Sequence, residues 1–258
     1  MPNTVQRELE RYPRTGRFLM GRLRSALTDG ERQLVEDLIE SEHTLDGGEL
    51  IARRGAECSS STILIEGFAI RVIERRDEPH IVGLQVSGDF IDLHGFALKR
   101  LDHDIRTLGP ARVGRVSHAR LQQVIGEQPH LARLLWFSTL LDAAIHREWI
   151  LKLEDLSAAQ RVAHVFCEIC RRLDMVGLDG DGRISLPLTQ AQLASMCGTT
   201  PVHMSRALRR LRDETGASFR HSKLKCPDLG ALAAYCEFNP SYLYGPGDLQ
   251  IPGGDYDD

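Results

Sequence analysis

The 258-residue chain contains no apolar run approaching the roughly 18 uninterrupted residues that a bilayer span requires. Its opening, MPNTVQRELERYPRTGR, has no apolar signal core, so a cytoplasmic protein without a membrane partner is expected. No nucleophile elbow, P-loop, zinc-hydrolase pair or dinucleotide fingerprint occurs, and an enzyme is not expected. The six cysteines, at 58, 167, 170, 197, 226 and 236, lie mostly within apolar patterns, where a reducing compartment keeps them as thiols. Neither sign of charge predominates, 32 lysines and arginines standing against 36 aspartates and glutamates for a formal net value of -4. With 42% hydrophobic and 26% charged residues the composition is that of an ordinary folded protein of one large or two modest domains.

The small net charge conceals an uneven distribution. Between Thr200 and Cys226 stand Arg206, Arg209, Arg210, Arg212, Arg220, Lys223 and Lys225 against Asp213 and Glu214 alone. From Pro227 onward there are Asp228, Glu237, Asp248, Asp255, Asp257 and Asp258 and no lysine or arginine. An acidic tail therefore masks a basic patch, and nucleic-acid binding depends on where charge sits rather than on its sum.

The chain divides into an arm at 1–18, a β-rich region at 19–125, a long helix at 126–156, a largely helical region at 157–226 and a C-terminal helix with an acidic tail at 227–258. The first forty residues read as helical, with Thr28-Asp29-Gly30-Glu31 as a capping box. From Leu45 to Val116 short apolar runs alternate with turn candidates at Glu66-Gly67, Asp77 to Pro79 and Ser87-Gly88-Asp89, the texture of an antiparallel β domain. Beyond Ser117, Leu131, Leu134, Ser138, Leu141, Ile145 and Trp149 follow a three-four spacing. Either that helix is buried on its own domain or Leu134, Leu141, Ile145 and Trp149 form a dimer seam, and a homodimer is expected. Asp179 and Asp181 read as a plain turn rather than a calcium loop, because Arg183 occupies the third ligand position. Cys167 and Cys170, at i and i+3, read as core, since Val162, Val165, Phe166 and Ile169 make the same helix apolar.

The stretch TQAQLASMCGTTPVHMSRALRRL, Thr189 to Leu211, carries the chemistry. Leu193, Met196 and Cys197 mark one buried face and Met204, Ala207, Leu208 and Leu211 another, so two short helices flank Gly198. Thr200 is a good N-cap, and Pro201 falls at the first helical position, where a missing N–H costs nothing. The second helix leaves Pro201, Val202, Ser205 and Arg206 outward, the positions that a helix docked by its N-terminal half offers to base edges. Arg206 suits guanine O6 and N7, while His203, Arg209, Arg210 and Lys223, with Lys225, suit phosphates. ASFRHSKLKC follows as a β-wing. The expected partner is double-stranded DNA. The alternative is a ligand-sensing or protein-interaction module whose helical domain binds protein.

This order of elements resembles the Crp/Fnr family of bacterial transcription regulators over about residues 19 to 225, through ILIEGFAIRV, SGDFIDLHGF and the Thr189 to Leu211 stretch. The resemblance implies an α+β chain: a cyclic-nucleotide-binding-like antiparallel β-roll, a long dimerisation helix and a C-terminal winged helix-turn-helix. It also implies sequence-specific transcription regulation at an inverted-repeat operator, with RNA polymerase as a further partner. Val202 stands where the family typically has a Glu, whereas Ser205 and Arg206 fit the Ser-Arg pair of the Fnr branch. Asp92-Leu93 replaces the Gly-Glu pair of the cyclic-nucleotide binders, so cAMP and other cofactors are not expected. Arg106 and Thr107 resemble the family's phosphate-binding pair and are the effector-site candidates. His94 and His103 raise a haem or metal sensor against an ordinary structural role, and no metal site is assigned. A single cysteine before residue 167 does not supply the N-terminal cluster of Fnr-type oxygen sensors.

Overall fold

A computed structural model describes residues 2–178 and 180–249. The last acidic residues, Asp255, Asp257 and Asp258, and the Asp179 half of the glycine-rich loop lie outside the described residues. The chain is α+β. It begins with α1 (Pro2–Arg11) and α2 (Asp29–Leu38). The expected capping box starts α2: Glu31 N donates to Thr28 Oγ1 at 3.2 Å and Thr28 N donates back to the Glu31 carboxylate at 2.8 Å. Tyr12 and Phe18, between these helices, are buried and tie the N-terminal segment to the body.

Five strands follow: β1 (Ser41–Leu45), β2 (Leu50–Ala52), β3 (Ser60–Arg75), β4 (Glu78–Val86) and, after the short helix α3 (His94–Leu98), β5 (Asp104–Ser117). All pairings are antiparallel, in the order β1-β5-β3-β4 with β2 also on β5. The expected turn at Glu66-Gly67 is instead a bulge within one continuous strand. The pairing of β3 with β5 shifts on either side of Glu66, and Gly67 adopts φ +94° where a Cβ would meet Pro110 O at 2.6 Å. The chain reverses at Arg76-Asp77, both at positive φ, as a two-residue hairpin demands. The interior of the roll is filled by Ile51, Leu64, Ala69, Ile91, Leu101, Ile105, Ala111 and Val113.

Two helices leave the roll, α4 (His118–Glu127) and the 27-residue α5 (Pro129–Asp155). The sequence-expected seam on α5 is turned inward. Leu134, Leu141, Ile145 and Trp149 are buried by the chain itself, in one core with Phe18, Phe90, Phe166 and Leu173, and cannot face a second copy. A second stripe at the same three-four spacing stays in solvent: Trp136, Leu140, Ala143, Arg147 and Ile150, of which Trp136 and Ile150 are 65% and 66% exposed. Both stripes satisfy the periodicity; the roll and the following helix cover the more apolar one.

The C-terminal region comprises α6 (Ala158–Met175), β6 (Arg183–Ser185), α7 (Gln190–Met196), α8 (Pro201–Thr215), β7 (Ser218–Arg220), β8 (Lys223–Lys225) and α9 (Leu229–Tyr235). It is docked on the roll: Ile81 N of β4 donates to Ser195 Oγ of α7 at 2.9 Å, and Arg172 of α6 reaches Leu84 O at 2.8 Å and Asp89 at 2.6 Å. Beyond α9 the chain returns across α6, where the Tyr242 hydroxyl donates to Glu168 at 2.9 Å, and meets α5 through Tyr244 edge-on to Phe137.

Candidate nucleic-acid interface

Two successive helix starts build the interface. Thr189 caps α7 in a reciprocal box with Gln192. The four-residue turn 197–200 follows, and Thr200 caps α8 by accepting from His203 N at 3.3 Å, with Pro201 at the first helical position. Gly198 makes the turn at φ +57°, where a Cβ would press on Leu153 Cδ2 at 2.9 Å. Arg161 fixes this turn to the end of α5, donating to Leu153 O at 2.6 Å, Leu156 O at 2.8 Å and Cys197 O at 3.3 Å. The angle at which α8 projects is thereby set by the long helix.

Met204, Ala207, Leu208 and Leu211 of α8 are buried against Leu193, Met196 and Cys197 of α7, as the periodicity predicts. The opposite face carries Pro201, Val202, His203, Ser205, Arg206, Arg209 and Arg210, all exposed. Val202 is 65% exposed, an apolar side chain held in solvent on a helix that buries its other apolar residues. Arg206 and Arg209 have no ion-pair partner among the described residues. Arg210 is shared with Glu214 at 2.7 Å, which raises its guanidinium above the ordinary value, and Arg212 with Asp213 at 2.8 Å. Such exposed pairs are worth little and yield readily to a phosphate.

The wing is a three-stranded sheet, β6-β8-β7. His221 and Ser222, both at positive φ, turn β7 into β8 and present Arg220 and Lys223 at the tip. Between wing and α8 lies a polar cavity of about 210 Å³ lined by Gln190, Ser205, Arg209, Arg212, Ser218 and Arg220. Gln190 joins the site only through this packing, because it is uncharged and the sequence separates it from α8, whereas Arg220 already belongs to the basic patch of the sequence. The N-terminal end of α8, its uncompensated arginines and the basic wing thus form one continuous cationic surface with an apolar contact at Val202. A surface of this kind can embrace a duplex, reading base edges with the helix and phosphates with the rest.

Residues 160–235 match the family model of the Crp-like helix-turn-helix domain. These residues carry a Crp-like helix-turn-helix domain. A probable transcriptional activator of Rhizobium leguminosarum bv. viciae is 28% identical over 191 residues, covering 72% of this chain and 77% of that protein. The transcriptional activator protein FnrL of Cereibacter sphaeroides is 24% identical over 193 residues, covering 72% and 76%. Among solved structures FixK2 of Bradyrhizobium japonicum superposes with a TM-score of 0.67 at 21% identity, covering 76% of this chain and 96% of that one. With this helix-turn-helix domain and these regulator relatives, the chain is a DNA-binding transcription regulator.

The effector-site candidates Arg106 and Thr107 are engaged within the sheet. Arg106 and Thr107 lie within β5, opposite Ile70 and Ala69 of β3, and not in a loop facing a ligand. The Thr107 hydroxyl donates to Asp46 O and accepts from Glu49 N at 2.9 Å, which secures the β1-β2 turn; Arg106 pairs with Asp104 at 3.3 Å. Asp92, in place of the family's glycine, is buried with its carboxylate on Thr62 N and Thr62 Oγ1, and burial pushes it up to about 6.

His94 and His103 do come together, their rings 5.4 Å apart, with His103 Nδ1 2.7 Å from Asp102. Burial holds both imidazoles below their ordinary value, His94 at about 4. No group of three or more metal-ligating side chains occurs among the described residues, and Cys167 and Cys170 are buried in the core. No described helix is long and apolar enough to cross a membrane.

Proposed function

We propose that two copies of this chain bind an inverted repeat in duplex DNA, each laying the 200–211 segment of α8 into a major groove. The half-sites would lie about one helical turn apart, roughly 34 Å. The observation that carries this reading is the division of α8: one face sits in the core, and the other holds Val202, Ser205 and Arg206 in solvent with arginines that lack acidic partners. In this reading Arg206 takes guanine O6 and N7, and Val202, lacking the carboxylate that would accept from cytosine, favours a thymine methyl group. Thr200, Pro201, His203, Ser205, Arg209, Arg210 and Lys223 set register and affinity on the sugar-phosphate backbone.

The homodimer forms through the exposed stripe Trp136, Leu140, Ala143, Arg147 and Ile150 of α5, which replaces the seam inferred from sequence. A heptad-spaced exposed stripe of this length, apolar but for Arg147, favours a parallel partner. The protein acts in the cytoplasm, and RNA polymerase is a further partner, as the activator names of the two relatives suggest. No structural feature favours a protein-binding module over this reading. Selecting bound duplexes from a random pool tests it: a two-fold symmetric consensus with a guanine in each half-site is expected, lost at that position for Arg206→Ala. Enrichment without symmetry, or none at all, contradicts it.

A further inference from the structure

A cleft between the roll, α5 and α6 is lined by four arginines, Arg17, Arg22, Arg71 and Arg172, against two carboxylates, Asp89 and Asp142. Arg71 is matched by Asp142 and Ile91 O, and Arg172 by Asp89, Glu168 and Leu84 O. Arg17 and Arg22 meet only carbonyls among the described residues: Arg17 Nε donates to Val176 O at 3.3 Å and Arg22 Nε to Leu243 O at 2.9 Å. The cleft is therefore in positive excess.

Several of its donors are also idle. Among the described residues, Arg22 Nη2 and Ser138 Oγ are buried with no hydrogen-bond partner, and so are the Nε atoms of Arg71 and Arg172, whose residues are only 3% and 2% exposed. A buried donor without an acceptor is costly, more so when it is charged, and several in one place point to an acceptor that the protein chain does not provide. Burial pulls the Arg22 guanidinium down to about 10 even though Asp89 and Glu168 oppose the shift.

We propose that this cleft is an anion-binding site that takes a small oxyanion, a phosphate or a carboxylate group, between Arg17, Arg22 and Ser138. Its cavity of about 40 Å³ has room for about three waters, which suits one such group and excludes a nucleobase. Guanidinium forks match both chemistries through paired N–H donors. The site is distinct from the apolar-filled interior of the roll. Its walls come from the N-terminal segment, β3 and the turn after β4, α5 and α6, so an occupant ties the helix that leads into the DNA-binding domain to the roll. That last consequence rests on the DNA-binding reading; the site itself does not.

The test is the thermal unfolding midpoint of the full chain titrated with sodium phosphate or sodium succinate, against chloride at matched ionic strength. A saturable rise of about 5 °C is expected for at least one of the two anions, and the anion that produces it identifies the preferred group. The rise should persist in Arg209→Ala/Arg210→Ala and vanish in Arg17→Gln/Arg22→Gln, with affinity for the anion falling about tenfold or more. Loss in the first pair and persistence in the second would place the anion on the recognition helix and overturn the proposal, as would no saturable rise with either anion. Should the glutamine variant fail to fold, anomalous scattering from selenate in wild-type crystals decides: a peak beside Arg22 supports the site, and peaks elsewhere alone overturn it. Failure of the site would leave the duplex-selection result untouched.

Discussion

At Arg206 the geometry asks for one kind of contact and at Arg209 for another. Arg206 sits two turns into α8 on the face shared with Val202, and Arg209 opens toward the cavity beside the wing. Arg206→Ala should weaken binding to the selected operator by about 1–3 kcal/mol and blur one base pair per half-site. Competition between operator and scrambled duplexes checks this, since equal weakening on both would make Arg206 a phosphate contact. Asp92 offers a second residue-scale test. Its folded pKa of about 6 stands above the ordinary 3.8, so the group favours the folded state most when protonated. Its contribution is fully present below pH 4 and is lost as pH rises through about 6. Asp92→Asn should flatten that segment of the stability curve and raise stability at pH 7, measured by urea midpoints between pH 4 and 7. An unchanged slope would mean that the hydrogen bonds from Thr62 keep the carboxylate ionised throughout.

Among the elements, α5 separates what periodicity tells from what it withholds. Leu134, Leu141, Ile145 and Trp149 share a stripe, and so do Trp136, Leu140, Ala143, Arg147 and Ile150; spacing fixes membership of a stripe, while tertiary packing decides which one is covered. Leu134→Ala should therefore cost about 2–5 kcal/mol of folding stability as a cavity mutation. Leu140→Glu should leave the fold intact and shift the chain to monomer, and sedimentation at micromolar concentration distinguishes the two. The helix-turn-helix was far more legible. Thr189 and Thr200 as caps, Pro201 at the first position and glycine in the turn are local chemistry, readable without knowing what packs where. Arg106-Thr107 marks the opposite limit, because a two-residue likeness carries no information about the strand register that enlists Thr107 in the β1-β2 turn.

For the molecule as a whole, the buried polar hub around Glu168 joins the parts that must move together if the roll controls DNA. Glu168 accepts from Trp149 of α5 at 3.0 Å and Tyr242 of the C-terminal segment at 2.9 Å and pairs with Arg172, which in turn holds Asp89 of the roll. None of the long-range partners is evident from sequence, because Trp149 and Tyr242 lie 19 and 74 residues from Glu168 and Asp89 lies 83 residues from Arg172, so only tertiary packing brings them together. The central claim is that the paired cationic surface of α8 and the wing grips duplex DNA, and ionic strength tests it most directly. Plotting log affinity for the operator against log salt should give a steep negative line, with slope about -0.9 per phosphate neutralised. Arg209→Ala should make it shallower by about 1 for each protomer. A flat line, or one that Arg209→Ala leaves unchanged, would contradict the account.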